Sequence, residues 1–363
     1  MPLRTRPSTT SALALDRGSL VLADISGYTS YVVSSPLQHA EDVLSDVTAK
    51  VAERLGHVLT LNKYEGDAVF GYALEGTLDG SMLLDAVEEC YFAFRNRLVG
   101  MQHATDCSCK ACAKLPDLDL KFVVHHGGFI RRPGRGGEEL TGEDVIVAHR
   151  LLKNGLGLRG YALFTEASVS ALGLGPAALG LRPYSETYED VGEVHGFVLD
   201  LEARWAEEQQ RRRVFVAEGE AEFEVEAILP VPPAVAWEYL TAPASRSLWQ
   251  GQTVEAAPGG RRGPGTTSFC VDERSRFYDE ILDWRPFDYF TEARSLPGSA
   301  RMVLTTELDA RAEGTRVRTR GARLDRRARA AWLLSGRSVR RDLREGYRRL
   351  GELIASEQEA AGA

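Results

Sequence analysis

Two short stretches constrain this chain more than anything else in it. Leu20-Val21-Leu22-Ala23-Asp24 is an apolar run that ends in a carboxylate. About forty residues on, Lys63-Tyr64-Glu65-Gly66-Asp67 puts a second carboxylate directly after a turn glycine. The segment from Arg17 to Asp24 predicts a fully buried strand, because a strand covered on both faces reads as a continuous apolar run. Residues 58–63 and 67–72 flank Glu65-Gly66 in the pattern of a β-hairpin. If the two strands are neighbours, Asp24 and Asp67 meet. A plainer reading stands beside this one: Asp-x-Ser-Gly is good turn chemistry, and Glu65-Gly66 suits a hairpin for its own sake.

The rest of the first half is organised around that hairpin. Ala40, Val43, Leu44, Val47 and Val51 recur at spacings of three and four, which predicts a helix over 37–55, and Gly56 stops it. A second helix is expected over 81–98, a strand over 121–126, a segment over 140–152 that leads into a third helix, and strands over 161–165 and 195–201. The order β-α-β-β-α-β is the ferredoxin-like split βαβ pattern. Around residues 207–213 the sequence becomes wholly polar. Beyond it, Glu220 to Ile228 alternates as a half-exposed strand does, Pro232-Pro233 opens the first of two small helices, over 234–240, and strands are expected over 265–272, 276–284, 288–293, 301–309 and 315–321. A helix over 324–356 closes an α+β helix-grip arrangement. The expected division is a leader at 1–14, a first domain at 15–205, a linker at 206–213, a second domain at 214–357 and a tail at 358–363.

Composition narrows the setting. The chain has 363 residues, 44% hydrophobic and 26% charged, so each half can bury a core. No apolar run approaches the ~18–20 residues that span a bilayer, and the start lacks a secretory h-region, so a cytoplasmic protein is expected. The net charge of −8 hides a basic stretch: residues 301–350 hold 15 Arg, no Lys and six acids. No aromatic interleaving or nucleic-acid motif accompanies it, so it reads as the solvated face of the last helix and no nucleic-acid partner is expected. Five cysteines make a disulfide framework a poor reading.

Two carboxylates at neighbouring strand edges suit a divalent metal–triphosphate site. Mg²⁺ prefers carboxylates together with phosphate oxygens, and a pair of such ions serves phosphoryl displacement. At this point the motifs resemble those of a class III nucleotidyl cyclase homology domain. Leu22-Ala23-Asp24-Ile25-Ser26-Gly27-Tyr28-Thr29 is similar to that family's acid–Ile–Gly–aromatic–Thr motif. Lys63-Tyr64-Glu65-Gly66-Asp67 is similar to its Lys-x-x-Gly-Asp, Val124 to Gly128 to its strand and following glycine, and Gly142-Glu143-Asp144-Val145-Ile146-Val147-Ala148-His149-Arg150 to its Gly-x-x-Val-Asn-x-Ala-x-Arg helix.

The resemblance, over residues 17–202, implies roles. Asp24 and Asp67 would hold two Mg²⁺ or Mn²⁺ ions with the Ile25 carbonyl, Lys63 and Glu139 would read the base, and Arg150 would stabilise phosphate charge. The implied reaction turns ATP, ahead of GTP, into a cyclic nucleotide at a homodimer interface. The carboxylates would come from one subunit and the Lys and Arg from the other. Two positions depart from the pattern: Ile146 stands where the family has a ribose-orienting Asn, and Glu139 where it has Asp. Isoleucine has no hydrogen-bonding group. The reading from another class is therefore a degenerate cyclase fold used for dimerisation or nucleotide sensing.

Two further features carry expectations. His103, Cys107, Cys109 and Cys112 offer three thiolates and an imidazole, a candidate structural zinc set; an unmetallated thiol loop and redox chemistry are the alternatives. His125-His126 reads as alternate faces of one strand. Residues 214–357 resemble the START-like SRPBCC (polyketide cyclase/dehydrase-like) superfamily. The resemblance rests on Leu229-Pro230-Val231-Pro232-Pro233-Ala234-Val235-Ala236-Trp237, Arg246-Ser247-Leu248-Trp249, Gly263-Pro264-Gly265-Thr266 and Tyr278 to Phe290, and it implies a site for a hydrophobic small molecule.

Overall fold

The strand that carries Asp24 lies inside a sheet, with a neighbour on each side, and this explains its sequence. A computed structural model describes residues 14–104, 113–134, 137–256, 262–271, 276–295, 301–323 and 328–362. In it β1 (Leu15–Ser26) pairs antiparallel with β3 (Ala68–Leu74) on one side and β4 (Asp119–Gly134) on the other. Leu20, Val21, Leu22 and Ala23 have no exposed surface, so polar alternation would leave unpaired groups in the core. With β2 (Thr60–Glu65), β5 (Gly137–Thr141), β6 (Tyr161–Thr165), β7 (Arg182–Tyr188) and β8 (Gly192–Asp200), the sheet runs β2-β3-β1-β4-β6-β8-β7, and β5 pairs with β4.

The connections follow from helical periodicity. Between β1 and β2 come α1 (Tyr28–Ser34) and α2 (Leu37–Leu55). The latter buries Ala40, Leu44, Val47, Val51 and Leu55, one stripe of its surface. Between β3 and β4 comes α3 (Gly80–Ala104). The order β2-β3-β1-β4 with these crossovers is the expected ferredoxin-like split βαβ core. After β5 comes α4 (Glu143–Leu151), which packs Val145 and Ala148 onto Leu20, Leu22, Phe70 and Phe129. The segment over 140–152 leads into the helix from a strand end, because Glu138 to Thr141 pair with β4. Two short helices, α5 (Glu166–Ala171) and α6 (Pro176–Leu179), follow β6, and α7 (Leu201–Gln210) follows β8. The polar run after residue 206 is helical to Gln210, and its Glu208 is buried against Arg285, 2.6 Å away.

The later residues form a second, wholly antiparallel sheet in the order β10-β11-β12-β13-β14-β15-β9. Its strands are β9 (Phe223–Leu229), β10 (Thr253–Ala256), β11 (Thr267–Val271), β12 (Arg276–Arg285), β13 (Tyr289–Ser295), β14 (Arg301–Arg311) and β15 (Gly314–Arg323). Helices α8 (Pro233–Thr241) and α9 (Pro243–Gln250) precede β10, and α10 (Ala328–Gly362) closes the chain as the long helix of the grip. It continues through the residues read as a tail. By internal contacts the chain divides into two units: residues 1–79, 93–173 and 181–202 form one, and residues 80–92, 174–180 and 203–363 the other. The first three turns of α3 therefore fold with the second unit. There Asp85 accepts the indole N–H groups of Trp237 and Trp284, each at 3.3 Å. Trp237 packs edge-on against Trp284, with ring centroids 4.6 Å apart.

Candidate functional site

Register brings the two carboxylates together. Asp24 faces Ala68 on β3, and Asp67 is the residue before Ala68, delivered by a turn in which Gly66 adopts a φ of 66°. Both side chains are partly buried. Burial first, and then the charge of Asp24, push the Asp67 carboxyl up to about 6. On the other side of β1, Asp24 faces Lys121 of β4. The Lys121 ammonium lies 3.0 Å from Asp24 Oδ2 and also donates to the Leu152 carbonyl at 3.1 Å.

A cleft of about 820 Å³ opens over this pair within the first unit. Its wall includes Asp24, Ile25, Lys63, Asp67, Ile146 and Arg150, together with Lys121, His149 and Lys153. One lip is the turn into α1. Gly27 there has a φ of 85°, and a Cβ on it would lie 2.6 Å from the Asp117 carbonyl. The opposite wall is α4, which a carboxylate latch holds against β4. Asp144 accepts the Gly128 N–H at 2.6 Å and lies 3.0 Å from His125 Nε2, while His125 Nδ1 is 3.0 Å from Thr165 Oγ1. The approach is so close that a Cβ on Gly127 would sit 2.1 Å from Asp144 Cγ. His126 turns the other way, toward Ser19 and Glu75.

Lys63, Glu65, His149 and Arg150 are each paired within the chain. Glu65 lies 2.5 Å from Lys63 Nζ and 2.8 Å from His149 Nε2, and His149 Nδ1 donates to the Val145 carbonyl at 2.7 Å. Burial works to raise the Glu65 carboxyl, but Lys63 and His149 outweigh it and hold it below its ordinary range. Arg150 pairs with Asp190 at 2.9 Å. Ile146 is 57% exposed at the cleft wall, an apolar group where a polar one was the pattern. Glu139 is not in the cleft wall: it stands on β5, 2.9 Å from Arg132. The candidate zinc set, Cys107, Cys109 and Cys112 with the side chain of His103, lies outside the described residues.

Asp24 and Asp67 fit a divalent cation by their chemistry. They are two hard oxygen ligands that repel each other and that a cation would relieve, with open cleft beside them for waters or phosphate. Among the described residues no third His, Cys, Asp or Glu joins them to make a protein cage. Sequence reasoning missed Lys121, Glu65 and His149. A lone lysine inside the apolar run Leu120-Lys121-Phe122-Val123-Val124 was the available signal for the first. The other two show no signal until α4 is set beside β2.

Comparison with known proteins is consistent with two halves of different kinds. Residues 220–355 match the family model described as polyketide cyclase / dehydrase and lipid transport. Residues 45–161 match a family described as protein of unknown function (DUF2652). An uncharacterised protein of Mycobacterium tuberculosis, Rv2561/Rv2562, is 31% identical over 143 residues; the match spans 39% of this chain and 66% of that protein, just under two thirds. Among solved structures, a bacterial light-regulated adenylyl cyclase aligns with 52% of this chain and 53% of its own at 15% identity and a TM-score of 0.39. The guanylyl cyclase Cya2 aligns with 51% of this chain and 92% of its own (13% identity, TM-score 0.40), and the adenylyl cyclase CyaB of P. aeruginosa with 51% and 96% (15%, 0.37). At TM-scores below 0.5 none of these likenesses bears on what the chain does. Among the described residues no helix is long and apolar enough to cross a membrane. The first unit is thus an α+β fold on a ferredoxin-like split βαβ core, and residues 220–355 resemble the polyketide cyclase / dehydrase and lipid transport family.

Proposed function

We propose that the first domain is a nucleotidyl cyclase that converts ATP to cyclic AMP and pyrophosphate. The observation that carries this reading is the side-by-side pair Asp24 and Asp67 at the floor of a cleft whose other groups are largely cationic. In the reaction the ribose 3′ oxygen bonds to the α-phosphorus, the α–β phosphoanhydride breaks, pyrophosphate leaves, and the 3′ proton passes to solvent. Divalent cations held by Asp24, Asp67 and the Ile25 carbonyl would supply Lewis acidity at the phosphates. Lys121 and Lys153 line the cleft where they can bind phosphate oxygens. Lys63 and Arg150 have side chains about half exposed, and their present partners Glu65 and Asp190 form surface pairs of small worth, so both are available to a nucleotide shared with a second copy of the chain. The SRPBCC domain would bind a hydrophobic small molecule and bias turnover. Purified protein supplied with ATP and Mn²⁺ should form cyclic AMP, and an Asp24→Ala control should not. Equal product from both refutes the proposal.

Ile146 favours a second reading. An exposed isoleucine at the cleft wall supplies no hydrogen bond to a bound ribose. On this reading the domain binds nucleotide and metal without turnover. Ile146→Asn separates the two: in a working cyclase it should raise turnover by about tenfold or more through one added positioning contact. A domain that senses nucleotide shows tight binding and no product in either form.

A further inference from the structure

The grip of the second unit is charged at its centre. Cross-strand partners in an antiparallel sheet share a face. The register therefore puts Asp279 beside Arg294, and Glu292 between Ile281 and Leu304, all on one face. Two residues along β13, the same face carries Phe290 and its partner Thr306, and Thr306 faces Thr319. Tyr347 of α10 meets Thr319 at 2.5 Å, which identifies this face as the one beneath the long helix. A fold expected to present apolar wall to its ligand instead presents a buried cluster of two guanidiniums and two carboxylates. Arg246 of α9 is its fourth member among the described residues, and Arg246, Asp279 and Glu292 are 3%, 0% and 5% exposed.

Three members of the cluster are well bonded to one another. Asp279 accepts from Arg246 Nη2 at 2.8 Å and from Arg294 Nε and Nη2 at 3.0 and 3.1 Å. Burial would raise its carboxyl, and the two guanidiniums overcome this and hold it low. Glu292 is different. Its Oε1 accepts from Arg294 Nη2 at 3.0 Å, while Oε2 is buried with no hydrogen-bond donor among the described residues, and Arg246 Nη2 stands 3.8 Å away. A buried carboxylate oxygen left unbonded is costly, and native proteins rarely keep one without a use. Among the described residues the four charges cancel, so a further buried ion would upset that balance, whereas a neutral donor would not.

We propose that Glu292 Oε2 is the acceptor for the hydroxyl group of an apolar ligand held between the second sheet and α10, with Ile281 and Leu304 flanking the ligand's body. This rests on the reading of residues 220–355 as a ligand-binding grip, and it adds what that grip reads: a neutral hydrogen-bond donor on an otherwise apolar molecule. A site built around an acceptor rejects an analogue that lacks the donor far more strongly than a plain apolar pocket does.

The test is a matched pair of probes on the full chain, 1-octanol and 1-methoxyheptane, which have the same number of heavy atoms but differ in the donor. Titration followed by tryptophan fluorescence should give an affinity for 1-octanol about tenfold or more above that for the ether. Glu292→Met removes the acceptor and should bring the two affinities to within about twofold. Glu292→Gln, the gentler change, turns an amide NH₂ toward the ligand. Alcohol and ether can both accept from it, so the preference should fall to near parity here also. Equal affinities in the unaltered protein mean that water alone satisfies Oε2 and overturn the proposal, while the ligand-binding reading survives. A tenfold preference that persists in both variants overturns it as well. Binding of neither probe overturns the ligand-binding reading and this inference with it.

Discussion

The sharpest consequence of the Asp24–Asp67 pair is a pH-dependent affinity for divalent cations. Asp67 titrates near 6 because it is partly buried and faces Asp24, so its proton competes with the metal in an accessible range. The sign follows from linkage. The cation requires the deprotonated carboxylate, so affinity is full above the raised value and lost as pH falls through it. With a midpoint of about 6, the apparent dissociation constant should rise by about tenfold from pH 8 to pH 5, and only by about a tenth from pH 8 to pH 7. Half-protonated Asp67 also means that binding at pH 6 should release about half a proton per protein, against almost none at pH 8. Mn²⁺ titration calorimetry in two buffers of different ionisation enthalpy measures affinity and proton release together. Asp67→Asn should weaken binding and abolish both dependences. Affinity that stays flat between pH 5 and 8, or a slope that survives Asp67→Asn, would refute the assignment of this carboxylate as a ligand with a neighbour-raised pKa.

Two further outcomes concern stability. Gly127→Ala forces a Cβ against the Asp144 carboxyl that latches α4, so it should destabilise the first unit by about 2 kcal/mol, read as a lowered midpoint in thermal or urea denaturation; an unchanged midpoint removes the latch. Burial pushes Asp85 up to about 7 against the pull of Arg262 and the two indole N–H groups. Its protonated form therefore stabilises the fold fully below the ordinary carboxylate range, and that contribution is lost as pH rises through about 7. Stability should fall by up to about 1.4 kcal/mol per pH unit between pH 5 and 7 in urea titrations, and Asp85→Asn should flatten that slope; identical slopes would show that Asp85 does not titrate there.

Much of this architecture could be read from spacing alone, and the failures have physical causes. The helix over Leu37–Leu55 and the strand Tyr161–Thr165 coincide with expectation at both ends, because strong periodicity or a short apolar run leaves little choice. Asp24 and Asp67 were legible as a pair because each sits at the end of an apolar run, and neighbouring strands then bring them together. Strand β7 was not anticipated. Its sequence Arg-Pro-Tyr-Ser-Glu-Thr-Tyr lies at the sheet edge with every second residue exposed, so it carries little hydrophobic signal. The second small helix, α9, was legible only without bounds, because Pro243 opens it a single residue after α8 ends. Lys121 was visible only as an oddity in a buried strand: what it does depends on a register that pairs it with Asp24 across β1, and register is set by the whole sheet. The polar centre of the second sheet was hidden for a similar reason. Asp279 lies on β12 and Glu292 and Arg294 on β13, two strands whose alternation looks like that of any half-exposed surface.

The divided membership of α3 matters for how the chain is made. Residues 80–92 leave the ribosome well over a hundred residues before Trp237 and Trp284, yet Asp85 finds its two indole partners only in that later sequence. Domains that fold during synthesis usually close from the N-terminus as each is completed. This chain cannot close in that order: Asp85, on the opening turns of α3, must wait for its indole partners until most of the second unit has been synthesised. A nascent chain halted near residue 205 would thus leave Asp85 without either indole. Moving the second unit to another protein would also require residues 80–92 to travel with it.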